Sequence, residues 1–129
     1  MTPSQHSILV AEDNYILRYT TVRTLSTRGY NVIEACDGAD ALRAAAKYDG
    51  AIHLLITDVQ MPNMNGHDLA REIKIKRPDI LVMIVSGEDE PDFPLDACNY
   101  ADVLLKPATP EMLLSKVNAL LQGGSSDAD

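Results

Sequence analysis

The chain has 129 residues, 46% of them hydrophobic, with a formal net charge of -8 and a pI near 4.7. That is enough for one domain with an ordinary core, needing no metal or disulfide staple. The acid balance argues against a nucleic-acid surface, which needs clustered Lys and Arg, and no apolar run is long enough to span a bilayer.

The amino terminus MTPSQHS is polar and lacks the hydrophobic region of a signal peptide, so a cytoplasmic location is expected. Residues 8–11 (ILVA) form a compact apolar run that halts at Glu12 and Asp13. Over residues 15–28, apolar and threonine methyl positions recur at helical spacing, as Ile16/Leu17, Thr20/Thr21 and Thr24/Leu25. Gly29 is a natural stop. Residues 31–35 (NVIEA) read as a strand, and Asp37-Gly38 opens an alanine-rich helix to Lys47 with Leu42, Ala45 and Ala46 facing inward. The cysteines Cys36 and Cys98 have neither metal-ligand spacing nor disulfide density, and read as buried or half-buried thiols of a reducing cytosol.

Residues 52–57 are a second apolar run, ending at Asp58. Leu69, Ile73 and Lys76 mark a helix from near Gly66 to before Pro78, and residues 80–85 (ILVMIV) are a third run, followed by Ser86. A short strand over residues 103–105 precedes Lys106-Pro107. Thr109-Pro110-Glu111 is a helix start, with a capping hydroxyl, a first-turn proline and an acid at the positive end of the dipole. Leu113, Leu114, Val117, Leu120 and Leu121 then make the clearest amphipathic stripe in the chain. The expected organisation is a tail at residues 1–6, one domain at 7–121, and a flexible tail at 122–129, where QGGSSDAD is a frayed end or the stub of a linker.

Strands alternating with helices, five of each, predict an α/β doubly wound fold whose parallel sheet is covered on both faces. Ligands of such sheets sit beyond the carboxyl ends of the strands. Those ends carry Glu12 and Asp13, Asp58, Ser86 and Lys106. Each has an ordinary reading alone: a solvated loop or helix cap, a turn former, a turn hydroxyl, a surface lysine. Their conjunction on one rim favours a site. Three crowded carboxylates need a compensating cation, and a hard divalent ion such as Mg²⁺ suits oxygen ligands. The lysine and hydroxyl suit a tetrahedral anion, so the set fits a carboxylate nucleophile that receives a phosphoryl group. His6, His53 and His67 show no ligand spacing, and Met61 and Met64 read as packing.

The motifs ILVAED, ITDVQMPNMNG, MIVSG and LLKP, in that order, resemble the receiver domain of bacterial two-component response regulators, single-domain or attached to hybrid histidine kinases. The resemblance covers nearly the whole chain. It implies a flavodoxin-like, five-stranded parallel sheet of order 2-1-3-4-5 with helices on both faces. It implies Asp58 as phosphoacceptor, and Mg²⁺ held by Asp13, Asp58 and the backbone carbonyl of Gln60, with Glu12 acting through a metal-bound water. Ser86 would hydrogen-bond a phosphoryl oxygen, and Lys106 would pair with the Asp58 carboxylate and then with phosphate. Met61-Pro62 would aim the Gln60 carbonyl, Gly66 would permit the sharp turn into the next helix, and Gln60 and Glu88 would border the route of the hydrolytic water. The implied partner is a sensor histidine kinase or histidine phosphotransfer protein, with the chain a monomer or weak dimer. It would be a signalling receiver that catalyses its own phosphorylation and dephosphorylation rather than an enzyme acting on a separate substrate.

Three features depart from the family. Val103 stands where an aromatic is usual, and Ala108 where phenylalanine often follows Lys-Pro. Pro91 and Pro94 leave room for only a brief or irregular helix, 95–98 at most, with Asn99 as a left-handed cap. The changed output surface keeps open a docking module that works whether or not it is phosphorylated. A phosphatase using Asp58 is excluded, because such enzymes want a second aspartate two residues on, where Gln60 stands.

Overall fold

A computed structural model of the chain describes residues 6–87, 100–106 and 108–127, the last five of these by their backbone alone. Among the described residues there are five strands and four helices. The strands are β1 (Ser7–Ala11), β2 (Asn31–Ala35), β3 (Leu54–Asp58), β4 (Leu81–Ser86) and β5 (Asp102–Leu105). The helices are α1 (Tyr15–Ser26), α2 (Gly38–Lys47), α3 (Gly66–Lys76) and α4 (Pro110–Asp127). All neighbouring strands pair in parallel, in the order β2-β1-β3-β4-β5. This is the doubly wound sheet that the sequence pattern predicts, in the flavodoxin-like order that the family resemblance implies. The brief helix, the Asn99 cap, Glu88 and Cys98 lie outside the described residues.

Alternation along the strands builds two cores. Leu9, Leu55, Val82 and Ile84 point to one face, where Ala41 and Ala45 of α2 and Leu69 and Ile73 of α3 cover them. Ile8, Val10, Leu54, Ile56 and Met83 point to the other, under Leu25 of α1 and Leu113 and Val117 of α4. Fully burying each large aliphatic chain contributes about 1.5–3 kcal/mol. Side-chain caps start the helices. Asn14 accepts from the Leu17 N–H, Asp37 from Asp40 and Asn65 from Asp68. Thr109 caps α4 as predicted, its hydroxyl accepting from the Met112 N–H at 3.1 Å.

Three local expectations need correction. On α2 Ala45 is buried and Leu42 packs against the core as expected, but the other buried alanine is Ala41, one helical turn before Ala45, while Ala46 is exposed. On α1 only Leu25 is buried, and Ile16 and Leu17 are 69% and 44% exposed. The first turns of that helix start beyond the acidic end of β1 and do not close onto the sheet, so Leu17 borders an open cleft beside Ala11 and Asp58. Cys36 is exposed as well, because it follows edge strand β2, beyond which no strand among the described residues pairs. The backbone of α4 continues past Leu121 to Asp127.

Candidate functional site

The sheet order reverses between β1 and β3, and strand register brings the side chains together there. Ala11 pairs with Thr57, Asp58 with Val85, and Ser86 with Leu105. The residues that end or follow these strands, Glu12, Asp13, Asp58, Ser86 and Lys106, therefore line one edge. One oxygen from each of Glu12, Asp13 and Asp58 lies within 4.8 Å of the others. Glu12 and Asp58 are buried, and Asp13 is exposed.

Asp58 is held from two sides. The Lys106 ammonium donates to both of its carboxylate oxygens at 3.1 Å, and the Val59 N–H donates to Oδ1 at 2.9 Å. Its main-chain carbonyl accepts from the buried Thr57 hydroxyl at 2.9 Å. Ser86 is buried beside it, its hydroxyl donating to the Gly87 carbonyl at 3.2 Å. The Lys106 N–H bonds the Ser86 carbonyl at 2.8 Å, which fixes the hydroxyl and the amine on adjacent chains. Gln60 is exposed, two residues beyond Asp58.

Charge does not balance within this group. At an effective dielectric of about 20, two unit charges about 5 Å apart repel by about 3 kcal/mol. Three carboxylates face one ammonium. Glu12 registers the imbalance: burial raises its carboxyl from 4.5 to about 7, with Asp58 and Asp13 adding to the rise. The N–H of Asn14, which donates to Glu12 Oε2 at 3.0 Å, and the charge of Lys106 oppose it. Hard oxygen donors carrying excess negative charge fit a divalent cation such as Mg²⁺.

The loop after Asp58 is built differently from the expectation. Gly66 matters for close approach rather than for a turn: a Cβ there would stand 2.1 Å from the Asp58 carbonyl oxygen. The left-handed residue is Asn63, with φ 72°, a conformation asparagine tolerates better than most. Met61 and Met64 pack against the core, as expected. Arg18 was missed by the sequence reading. Its Nη1 donates to the Glu12 carbonyl at 2.8 Å while its Nε meets Glu34 at 3.3 Å. Its only signal is an arginine one helical turn beyond the acidic pair.

Comparison with known proteins agrees with this geometry. The family profile described as response regulator receiver domain matches residues 8–118. The sensor kinase CckA of Brucella abortus is 36% identical over 120 residues, 90% of this chain and 12% of that protein. The aerobic respiration control protein ArcA of Escherichia coli is 34% identical over 116 residues, 88% of this chain and 48% of that protein. The chain thus spans less than half the length of either relative. The crystal structure of a response regulator receiver domain protein from Clostridium thermocellum has a TM-score of 0.83 at 28% identity, covering 94% of this chain and 98% of that one.

Proposed function

The chain belongs to the response regulator receiver domain family of two-component signalling, and from that premise we propose that Asp58 accepts a phosphoryl group from a phosphohistidine. The donor is a histidine kinase or a histidine phosphotransfer protein. The observation that carries this reading is the Asp58 carboxylate, 8% exposed at the end of β3, gripped by Lys106 and facing two further acids. A receiver is a signalling module rather than a classical enzyme, and the chemistry asked of it is positioning and charge stabilisation.

In the transfer, an Asp58 oxygen bonds to phosphorus as the phosphorus–nitrogen bond breaks. The imidazole leaves with that electron pair and takes up a proton. Asp58 is then a mixed anhydride. Lys106, already within 3.1 Å of both Asp58 oxygens, is placed to follow the negative charge onto the phosphoryl oxygens. The Ser86 hydroxyl exchanges its bond to the Gly87 carbonyl for one to a phosphoryl oxygen by rotation about χ1. Asp13, Asp58 and the Gln60 carbonyl would hold Mg²⁺, with Glu12 acting through water, and the ion supplies the positive charge that the site's own residues lack. No helix among the described residues is long and apolar enough to cross a membrane.

Intact mass after incubation with acetyl phosphate and Mg²⁺ tests the assignment. Wild type gains one acid-labile phosphoryl group and Asp58→Asn gains none. Equal labelling of the two proteins places the acceptor elsewhere.

A further inference from the structure

Residues 12–14 carry two of the three acids, and both peptides flanking Asp13 are pinned. The Glu12 carbonyl accepts from Arg18 Nη1 at 2.8 Å, and the Asn14 N–H donates to Glu12 Oε2 at 3.0 Å. The Glu12 N–H donates to the Ala35 carbonyl at 3.1 Å, which extends the pairing of β1 with β2 by one residue. β2 ends at Ala35, and the next acceptor in line, the Glu12 carbonyl, is taken by a side chain from α1. Arg18 also holds the loop by its main chain, since its N–H donates to the Asn14 carbonyl at 2.9 Å. Asp13, which is exposed, is aimed by its neighbours rather than by any burial of its own.

Arg18 is itself held in the orientation this needs. Its Nε meets Glu34 Oε1 of β2 at 3.3 Å, and its guanidinium lies 5.7 Å from the centre of the Tyr15 ring. Its side chain is 17% exposed, against 57% for Glu34. An exposed ion pair alone contributes little, and a lysine would serve it as well. Here two nitrogens on one rigid plane are used, one for Glu34 and one for the main chain, and only arginine offers that fork. The positive charge is matched by Glu34, outside the acid group. What Arg18 gives the site is geometry.

We propose that Arg18 is a positioning residue for the divalent cation: by fixing the Glu12–Asp13 peptide it sets the acids in place before Mg²⁺ arrives. The proposal rests on the reading of Glu12, Asp13 and Asp58 as the metal group. Mg²⁺ tolerates little departure from octahedral geometry, so a loop free to wander must first be ordered, which weakens binding. Partners that orient metal ligands without touching the ion carry about tenfold or more in affinity. Charge and geometry predict opposite signs here. Removing a cation from a chain of net charge -8 should by itself tighten Mg²⁺ binding. Loosening the loop should weaken it.

The test titrates Mg²⁺ into the whole chain without a phosphodonor, followed by amide NMR, in proteins whose melting shows them folded. Arg18→Met, which keeps the stem and loses the fork, should weaken the dissociation constant about tenfold. Arg18→Lys keeps the charge and should weaken it too. Arg23→Met removes the same charge from an exposed position of α1 and should leave the constant unchanged or tighten it. Unchanged or tighter binding in either folded Arg18 variant, or equal weakening in Arg23→Met, overturns the proposal. A merely structural role would lower the melting temperature in chelator without moving the constant. Labelling by acetyl phosphate gives a second reading: the Arg18 variants should lag at limiting Mg²⁺, and excess Mg²⁺ should close most of the gap. A gap that excess Mg²⁺ leaves untouched overturns the positioning role. A wild type with no Mg²⁺ response fails at the metal reading itself, whereas a wild-type response that the Arg18 variants share fails here alone.

Discussion

Along the amino edge of the sheet the polar groups close on one another, whereas along the carboxyl edge they do not. At the amino edge the Ser7 N–H donates to His53 Nδ1 at 3.0 Å, and Asn31 Nδ2 donates to the Tyr48 hydroxyl at 2.7 Å and to Ser7 Oγ at 3.1 Å. Ser7 Oγ and the Tyr48 hydroxyl share a further bond at 3.0 Å. Every group there can be neutral and partnered from within. The carboxyl edge is hydrogen-bonded too, and no buried side-chain nitrogen or oxygen among the described residues lacks a partner. What separates the edges is charge: three acids against one lysine. Polarity at a strand end is therefore a poor guide to function in this fold. Uncompensated charge is the better one, because only it demands a ligand from outside.

The harshest way to break the carboxyl edge adds no charge at all. Gly66→Ala would drive a methyl against the Asp58 carbonyl oxygen, 2.1 Å from the new carbon. Backbone cannot yield as the end of a long side chain can. We expect a loss of about 3–5 kcal/mol in urea unfolding, together with loss of labelling at Asp58. A destabilisation within about 0.5 kcal/mol, as for an ordinary surface change, would show that the loop moves aside freely.

The charge imbalance itself is read through pH. Burial raises the folded Glu12 carboxyl to about 7 from 4.5. Below the lower value both folded and unfolded chains hold the proton, and Glu12 is neutral in its effect. Between the two values the unfolded chain releases its proton first, so metal-free stability falls as pH rises, and above about 7 the loss is complete. Its ceiling is about 3 kcal/mol before solvent screening. Urea unfolding in chelator near pH 5 and near pH 8, wild type against Glu12→Gln, isolates this share. An identical slope in the two proteins would remove Glu12 from the account. Saturating Mg²⁺ should restore stability at the higher pH by binding the native state, by about 1.4 kcal/mol at ten times its dissociation constant. Asp13→Ala should largely abolish that gain.

Unlike its neighbour, the amino edge should be indifferent to the ion. Tyr48→Phe deletes the hydroxyl shared by Ser7 and Asn31. It should lower stability by about 1 kcal/mol and leave both the Mg²⁺ response and the labelling untouched. A changed Mg²⁺ response would couple the two edges through the sheet.

The carboxyl edge was legible in the sequence and the amino edge was not, for the same physical reason. An acid, a hydroxyl or a lysine that ends an apolar run announces itself locally, so Glu12, Asp58, Ser86 and Lys106 could be placed on one rim before any contact was known. The amino-edge partners are 46, 41 and 24 residues apart, and nothing near His53 or Ser7 marks them. Gly66 shows the limit within the site: its need for absent Cβ comes from the passage of another backbone, which no local pattern records. Helix periodicity failed at Ile16 and Leu17 because a stripe shows which residues align, not whether the helix closes onto the sheet there. Asn14, Asn65 and Asp37 were legible as caps by their residue type, and only Asp37 was used.

The smallest effect expected is none, and it concerns the face formed by β5 and α4. Lys116 donates to both oxygens of Asp102 at 3.2 and 3.1 Å, so this pair of opposite charges is already matched within one copy. Val103 is half-buried and β-branched, hence stiff at χ1, and too short to carry a large surface between hidden and exposed positions. The exposed apolar residues there, Leu105 and Met112, are 56% and 44% accessible, and copies carrying a net charge of -8 repel. A phosphoryl mimic at Asp58 therefore has no large lever on this face. Sedimentation of the chain with Mg²⁺ and beryllofluoride should match sedimentation without them, as a monomer or weak dimer in each case. A clear monomer-to-dimer shift would sink this expectation. Were the shift also lost in Lys116→Ala, the ion pair with Asp102 would have to open and re-form between copies, and the carboxyl edge would have an output across β5 that its short side chains do not announce.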